Sequence, residues 1–259
     1  MHAEDAGLLS SEPFHYPVGT RVLGSPEEFA REFLPDYRRL DSIGPRGPAT
    51  LDLLFRHVSD ENAACLDYGC GIGLIPYHIA KARPRWRVVG WEGDHSSYEI
   101  ARRYFGAPNL TFERKPYREY AAFETPAFDV IAFLEVIEHV DNPGEVLDGF
   151  QRGLRPGGML LLSTPNVLGY NTLSGELRTA ARLLLRPSPH ERISRQLNQR
   201  PYDPTTNDGH VAVYSLPTLA RLLDVHGFDV VSFAFAPVSR QFLRRLFPET
   251  LIVLARKRA

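Results

Sequence analysis

The stretch that most constrains this chain is Cys65-Leu66-Asp67-Tyr68-Gly69-Cys70-Gly71-Ile72-Gly73. An apolar lead-in, an acid and three glycines at alternate positions describe a buried strand that turns sharply into a helix. Glycine reaches backbone angles closed to other residues and lets a ligand approach the main chain. The stretch meets only part of the dinucleotide-binding fingerprint, because the position of that fingerprint's last glycine is Leu74. Asp67 stands where a carboxylate orients the loop or meets a cationic ligand.

The surrounding sequence repeats one rhythm. Short apolar runs at 64–66, 87–91, 110–113, 128–133 and 159–163 alternate with helical patterns at 74–83, 96–104 and 144–154. Strands without a polar face, separated by helices, predict a parallel sheet covered on both sides. A helix over 216–226 and two further strands, 228–233 and 251–255, close the chain. Before this core, residues 1–24 read as irregular, punctuated by Pro13, Pro17, Gly19 and Gly24. Ser25-Pro26-Glu27-Glu28 reads as a capped helix start, with Pro35 interrupting the helix. Leu51, Leu54, Phe55 and Val58 predict a second helix. The expected organisation is an N-terminal helical cap over 1–60 and a core over 61–259, with a lid-like insertion at about 167–209.

Composition limits the partners. A net charge of −1 over 259 residues provides no global field for nucleic acid or a membrane. The two cysteines, Cys65 and Cys70, form neither a zinc set nor a disulfide scaffold. No run approaches the ~20 apolar residues of a membrane span, and residues 1–11 lack the basic start of a secretory signal. The expectation is a cytoplasmic protein.

Glu92 ends the strand after the glycine turn, where an acid accepts both ribose hydroxyls of a nucleoside. Next comes Phe128-Asp129-Val130-Ile131-Ala132-Phe133-Leu134-Glu135-Val136-Ile137-Glu138-His139. It is followed by Leu154-Arg155-Pro156-Gly157-Gly158 and by Leu161-Leu162-Ser163-Thr164-Pro165-Asn166. Taken together, these segments resemble the motifs of class I S-adenosylmethionine-dependent methyltransferases, with most similarity to the ubiquinone-biosynthesis O-methyltransferase group. The resemblance covers about residues 44–166, and 208–228 more loosely. It implies a Rossmann-like, seven-stranded, mostly parallel α/β sheet with helices on both faces and a terminal antiparallel hairpin. It also implies that S-adenosylmethionine lies across Asp67, Gly69, Gly71 and Gly73, with its ribose on Glu92 and its edge on the backbone of Leu134. Arg46 matches a cofactor-contacting arginine of the ubiquinone group and would pair with the carboxylate of the methionyl tail. The family's acid after the third strand is missing, because that region reads Arg114-Lys115-Pro116.

Glu135, Glu138 and His139 form Glu-x-x-Glu-His. On a helical turn these residues share a face, and with His210 they would supply ligands for a divalent cation such as Mg2+. A similar pattern occurs in metal-using ubiquinone O-methyltransferases and small-RNA 2′-O-methyltransferases. The alternative is solvent-facing acids and a packed histidine. His139, then His210, are the general-base candidates. Tyr37, Asn166, Tyr170, Asn171 and Tyr202 are candidates for the acceptor pocket. The arginines at 178, 182, 186, 192, 195 and 200 suggest a solvated basic surface helix, a lid that closes on an acidic or phosphorylated acceptor, or contact with a membrane surface.

The expected function is methyl transfer to a small molecule, with oxygen the favoured acceptor. The rivals are a nucleic-acid 2′-O-methyltransferase, a nicotinamide-dependent oxidoreductase and a non-catalytic protein of the S-adenosylmethionine-binding fold that binds a partner through its arginine-rich segment. The near-neutral charge disfavours a nucleic-acid partner.

Overall fold

The computed structural model describes residues 13–18, 21–115, 123–169, 212–236 and 248–258. Two short strands, β1 (Tyr16–Val18) and β2 (Arg21–Leu23), pair antiparallel, where the sequence reads as irregular. Helices α1 (Pro26–Glu32), α2 (Leu34–Tyr37) and α3 (Arg46–His57) follow. Ser25 caps α1, and Pro35 lies in the first turn of α2, where its missing N–H costs nothing.

The core alternates as expected: β3 (Ala64–Tyr68), α4 (Leu74–Ala82), β4 (Arg87–Glu92), α5 (His95–Tyr104), β5 (Leu110–Arg114), β6 (Phe128–Leu134), α6 (Pro143–Gly153) and β7 (Leu154–Pro165). It ends with α7 (Leu216–Val225), β8 (Phe228–Ala236) and β9 (Thr250–Lys257). Seven strands form one sheet in the order β5-β4-β3-β6-β7-β9-β8. The first five are parallel, and β9 pairs antiparallel with both β7 and β8. This is the Rossmann-like fold with its terminal antiparallel hairpin.

Strand periodicity builds two cores. Leu66, Ile131, Phe133, Leu160, Leu162 and Val253 point to one face, against Val146, Leu147 and Phe150 of α6 and Leu219 and Leu223 of α7. Cys65, Val130, Ala132, Leu161 and Leu254 point to the other, against Leu51 and Leu54 of α3 and Ile79 and Ala80 of α4. A third cluster ties the N-terminal segment to the core: Leu23 and Phe29 pack with Leu74, Ile100 and Phe105. Tyr16, Phe33 and Tyr37 join this cluster.

The order in which strands are added reverses between β3 and β6, since β4 and β5 are laid down on one side of β3 and β6 and β7 on the other. In open α/β sheets such a switch point leaves a crevice beyond the carboxyl ends of the strands.

Gly73 sets how closely β3, α4 and β5 pack. It opens α4 with φ 86°, and a Cβ there would meet Phe112 Cζ at 2.6 Å and Ala101 Cβ at 3.0 Å. Gly73→Ala therefore adds a left-handed penalty to overpacking. The expected loss is ~2–4 kcal/mol of unfolding free energy, read by urea denaturation.

Candidate functional site

A cavity of about 710 Å3 opens over the carboxyl ends of β3, β4 and β6, a size that fits a drug-sized ligand. Its floor is the turn after β3. Gly69 N and Cys70 N both donate to Trp91 O at 2.9 Å, and Gly71 N donates to Glu92 Oε2 at 2.7 Å. Three successive amides are thereby fixed to the end of β4. Gly71 has φ 56° and nothing within 4 Å of where a Cβ would stand, so a ligand can reach its backbone directly.

Glu92 lines the cavity although only 4% exposed. Its Oε1 accepts from Asp94 N at 2.8 Å. Asp94 in turn caps α5 by accepting from Ser97 N at 2.7 Å. The chain of acceptors holds the Glu92 carboxylate at the mouth of the glycine turn. With Gly71 N–H already satisfied by a protein carboxylate, the turn offers an anionic ligand little. A pyrophosphate would lose the amide it needs and gain a repelling charge.

On the β6 side, Leu134 and Glu135 line the cavity with Val136, His139 and Ser163. Arg46, in the first turn of α3, also lines it, and its Nη1 lies 3.0 Å from Glu135 Oε2. Ser163 Oγ donates to Glu135 Oε1 at 2.7 Å.

Of the expected nucleoside-site residues, Arg46, Gly69, Gly71, Glu92 and Leu134 converge on this cavity. Asp67 and Gly73 do not reach its wall. Gly73 serves packing, as described above. Asp67 is 2% exposed beneath the turn, and its Oδ1 has no hydrogen-bond partner among the described residues. Burial, aided by the Glu92 charge, pushes its pKa up to about 8, so at neutral pH it is a largely protonated carboxyl.

The shared face expected for Glu-x-x-Glu-His is corrected. Glu135 takes a left-handed φ of 55°, which breaks the turn before it becomes helical, and only Ile137–His139 form a 3-10 turn. Glu138 turns inward: it is 1% exposed and accepts from Thr164 Oγ1 at 3.0 Å. Burial, then the Glu135 charge, pushes it up to about 8. Among the described residues no three His, Cys, Asp or Glu side chains stand together as metal ligands. His210, Tyr170, Asn171, Tyr202 and the arginines at 178–200 lie outside the described residues. Asn166 is corrected too. Rather than lining the cavity, it is buried, and its Nδ2 donates to Pro248 O at 3.0 Å.

Sequence reasoning missed part of the wall. His15, Tyr16 and Pro17 come from β1 and the residue preceding it, and His95 and Ser97 from the start of α5. Tyr37 lines the cavity as expected. His15 N donates to Ser96 Oγ at 2.7 Å, which fastens β1 to α5 beside the cavity. No motif marks these residues. The one available signal is the aromatic run Phe14, Tyr16, Phe29, Phe33 and Tyr37.

A parallel sheet with a glycine turn, a strand-end acid and a cavity across the switch point defines a nucleoside-binding Rossmann-like protein. Residues 44–233 match the methyltransferase domain family, and the chain belongs to it. Among class I S-adenosylmethionine-dependent methyltransferases, it is 29% identical over 121 residues to a ubiquinone biosynthesis O-methyltransferase of Hahella chejuensis, covering 46% of this chain and 50% of that protein. The chain thus spans about half the length of the curated relatives it matches. Phosphoethanolamine N-methyltransferase 2 of Haemonchus contortus, solved with S-adenosyl-L-methionine, superposes with TM-score 0.59 at 16% identity, over 94% of this chain and 62% of that one. The (4+2)-cyclase SpnF superposes with TM-score 0.55 at 14% identity, over 82% and 81%. No described helix is long and apolar enough to cross a membrane.

The two buried acids predict a pH dependence. Asp67 and Glu138 rise from ordinary values of 3.8 and 4.5 to about 8. Between those limits the folded state binds more protons than the unfolded chain, so their contribution to stability falls as pH rises. Glu138→Gln removes one of these contributions. The variant is expected to gain stability relative to wild type on going from pH 4.5 to pH 8, read from paired urea midpoints. A difference independent of pH would refute the assignment.

Proposed function

We propose that this chain transfers the methyl group of S-adenosylmethionine to a hydroxyl oxygen of a small molecule. The observation that carries the reading is the cavity at the switch point. It joins the open backbone at Gly71 to the Glu92 carboxylate in one space. Family membership supports methyl transfer, and the names of the curated relatives favour oxygen as the acceptor atom.

In this reading the ribose hydroxyls donate to Glu92, and the sulfonium and methionyl tail lie over Gly69–Ile72 toward Leu134. The Glu92 and Asp94 carboxylates beside the glycine turn suit a cationic donor. The acceptor enters on the side of Tyr37 and His139. Its oxygen attacks the methyl carbon, the carbon–sulfur bond breaks with its electron pair passing to sulfur, and the products are S-adenosylhomocysteine and the methyl ether. The hydroxyl proton passes to the His139 imidazole. Sulfonium is a good leaving group, so much of the rate comes from holding oxygen, carbon and sulfur in line. The site residues need to act only as a cradle and a proton acceptor.

Calorimetric titration of the purified chain with S-adenosylmethionine and S-adenosylhomocysteine tests the donor. Both are expected to bind, and NAD is not. Glu92→Ala is expected to weaken binding roughly 10–100-fold, the worth of ~1.4–3 kcal/mol of charge-assisted hydrogen bonds. Failure of the wild type to bind at millimolar ligand would refute the reading.

Methyl transfer from labelled donor onto a panel of phenols, catechols and amines tests the acceptor atom. His139→Ala is expected to lower kcat by about 10²–10⁴ with donor affinity retained. Labelled amines without labelled ethers would overturn the assignment to oxygen.

A further inference from the structure

One wall of the cavity is built by the β1–β2 hairpin, which forms a two-stranded sheet of its own, apart from the seven-stranded one. His15, Tyr16 and Pro17 all face the cavity. Burial, then the Tyr37 phenol and the Asp94 and Glu92 carboxylates, push the Tyr16 phenol well above its ordinary value. Those three groups are therefore its electrostatic neighbours, and Tyr16 stands at the same end of the cavity as the strand-end acid. Its ring meets the buried Phe29 edge-on, with centroids 5.5 Å apart, and Phe29 meets Tyr37 in the same way at 5.6 Å. Phe29 thus fixes two phenols on one stretch of wall.

The two strands of the hairpin are attached differently. β2 ends in Leu23, which is fully buried in the third cluster. Arg21 adds two hydrogen bonds from its Nη atoms to the Glu32 carboxylate of α1, at 2.6 and 3.0 Å. β1 has lighter fastenings. Tyr16 packs on the third cluster from a partly exposed position, and His15 N donates to Ser96 Oγ at 2.7 Å. Each strand is three residues long, and Pro17, opposite Val22, gives the ladder no N–H. A two-stranded hairpin is marginally stable at best in water. A unit with so few buried contacts opens locally at far lower cost than the whole chain unfolds. The floor of the cavity is unlike it, because the glycine turn is bonded through three amides to the end of β4.

We propose that the β1–β2 hairpin is a strap over the donor site, and that its release from α5 sets how fast the nucleoside enters and leaves. The inference rests on the methyl-donor reading and goes beyond it, from what is bound to what controls exchange. A nucleoside whose sugar meets Glu92 lies under Tyr16. Entry and exit then require β1 to lift, with β2 as the hinge side, while the glycine turn stays in place. Closed, the strap keeps water from the reacting atoms; lifted, it lets S-adenosylhomocysteine go.

A strap differs from a ligand contact in its kinetics. It bars entry and exit alike, so loosening it speeds both and cancels in Kd. Losing a ligand contact acts mostly on dissociation.

The test is the rate of S-adenosylhomocysteine association and dissociation, measured by surface plasmon resonance on the intact chain. Ser96→Ala removes the fastening bond without changing a side chain that lines the cavity. Both rates are expected to rise together by roughly 3–10-fold, as loss of one hydrogen bond allows, with Kd within about twofold of wild type. Hydrogen exchange on the wild type is a second readout that needs no variant. Amides of residues 14–18 are expected to exchange faster than those of β3 in the free chain, and to slow when S-adenosylhomocysteine binds.

Faster dissociation with unchanged association would make Ser96 a support of the ligand contacts and overturn the strap. Unchanged rates would overturn it too, as would exchange at 14–18 that ignores a ligand which protects 69–73. In each of these cases the wild type binds S-adenosylhomocysteine, so the donor reading stands and only this inference fails. If the wild type binds none, the donor reading fails and takes the strap with it.

Discussion

Three amide groups in a row, those of Gly69, Cys70 and Gly71, donate to the last two residues of β4. The cavity depends on this attachment. It binds the turn to the neighbouring strand instead of leaving it a free loop, and it aims the Glu92 carboxylate at the ligand space. It also satisfies the amide that a phosphate-binding turn would keep available. The local charge that results suits a cation better than an anion. A glycine-rich turn after a first strand is common to several nucleotide folds, and what distinguishes this one is where its N–H groups are spent.

The four acids divide by whether they line the cavity and by the partners they have. Asp67 and Glu138 lie in places where burial disfavours ionisation. Glu92 and Glu135 face the ligand space and have partners suited to the charged form: backbone amides for one, a guanidinium and a hydroxyl for the other. Two of the four carboxylates therefore line the cavity and two lie away from its wall. The spacing of Glu-x-x-Glu-His does not reveal this division, because a single left-handed residue at 135 breaks the helical turn that would have put both acids on one face.

The core strands, the helices between them and the terminal hairpin were readable because buried parallel strands leave unbroken apolar runs and the helices leave caps. Glu92 was readable because its distance from the glycine turn is dictated by one strand–helix–strand unit. The β1–β2 hairpin was not readable. Its strands are three residues each, contain Pro17 and show no long alternation, so they exist through packing of Tyr16 and Leu23 on the third cluster. Asn166 shows the limit for single residues. An amide at a strand end looks equally suited to a ligand or to a carbonyl, and only the approach of Pro248 decides in favour of the carbonyl.

The amino-acid order alone determined the fold class, the position of the nucleoside turn and the acid that faces it, because each follows from local periodicity or from spacing within one structural unit. Tertiary structure decided which glycine packs and which admits a ligand, which carboxylates are buried, and that Arg46 meets Glu135 across 89 positions of chain. Such outcomes depend on the distance and dielectric between groups remote in sequence, and neither is set until the sheet has closed and its helices have docked.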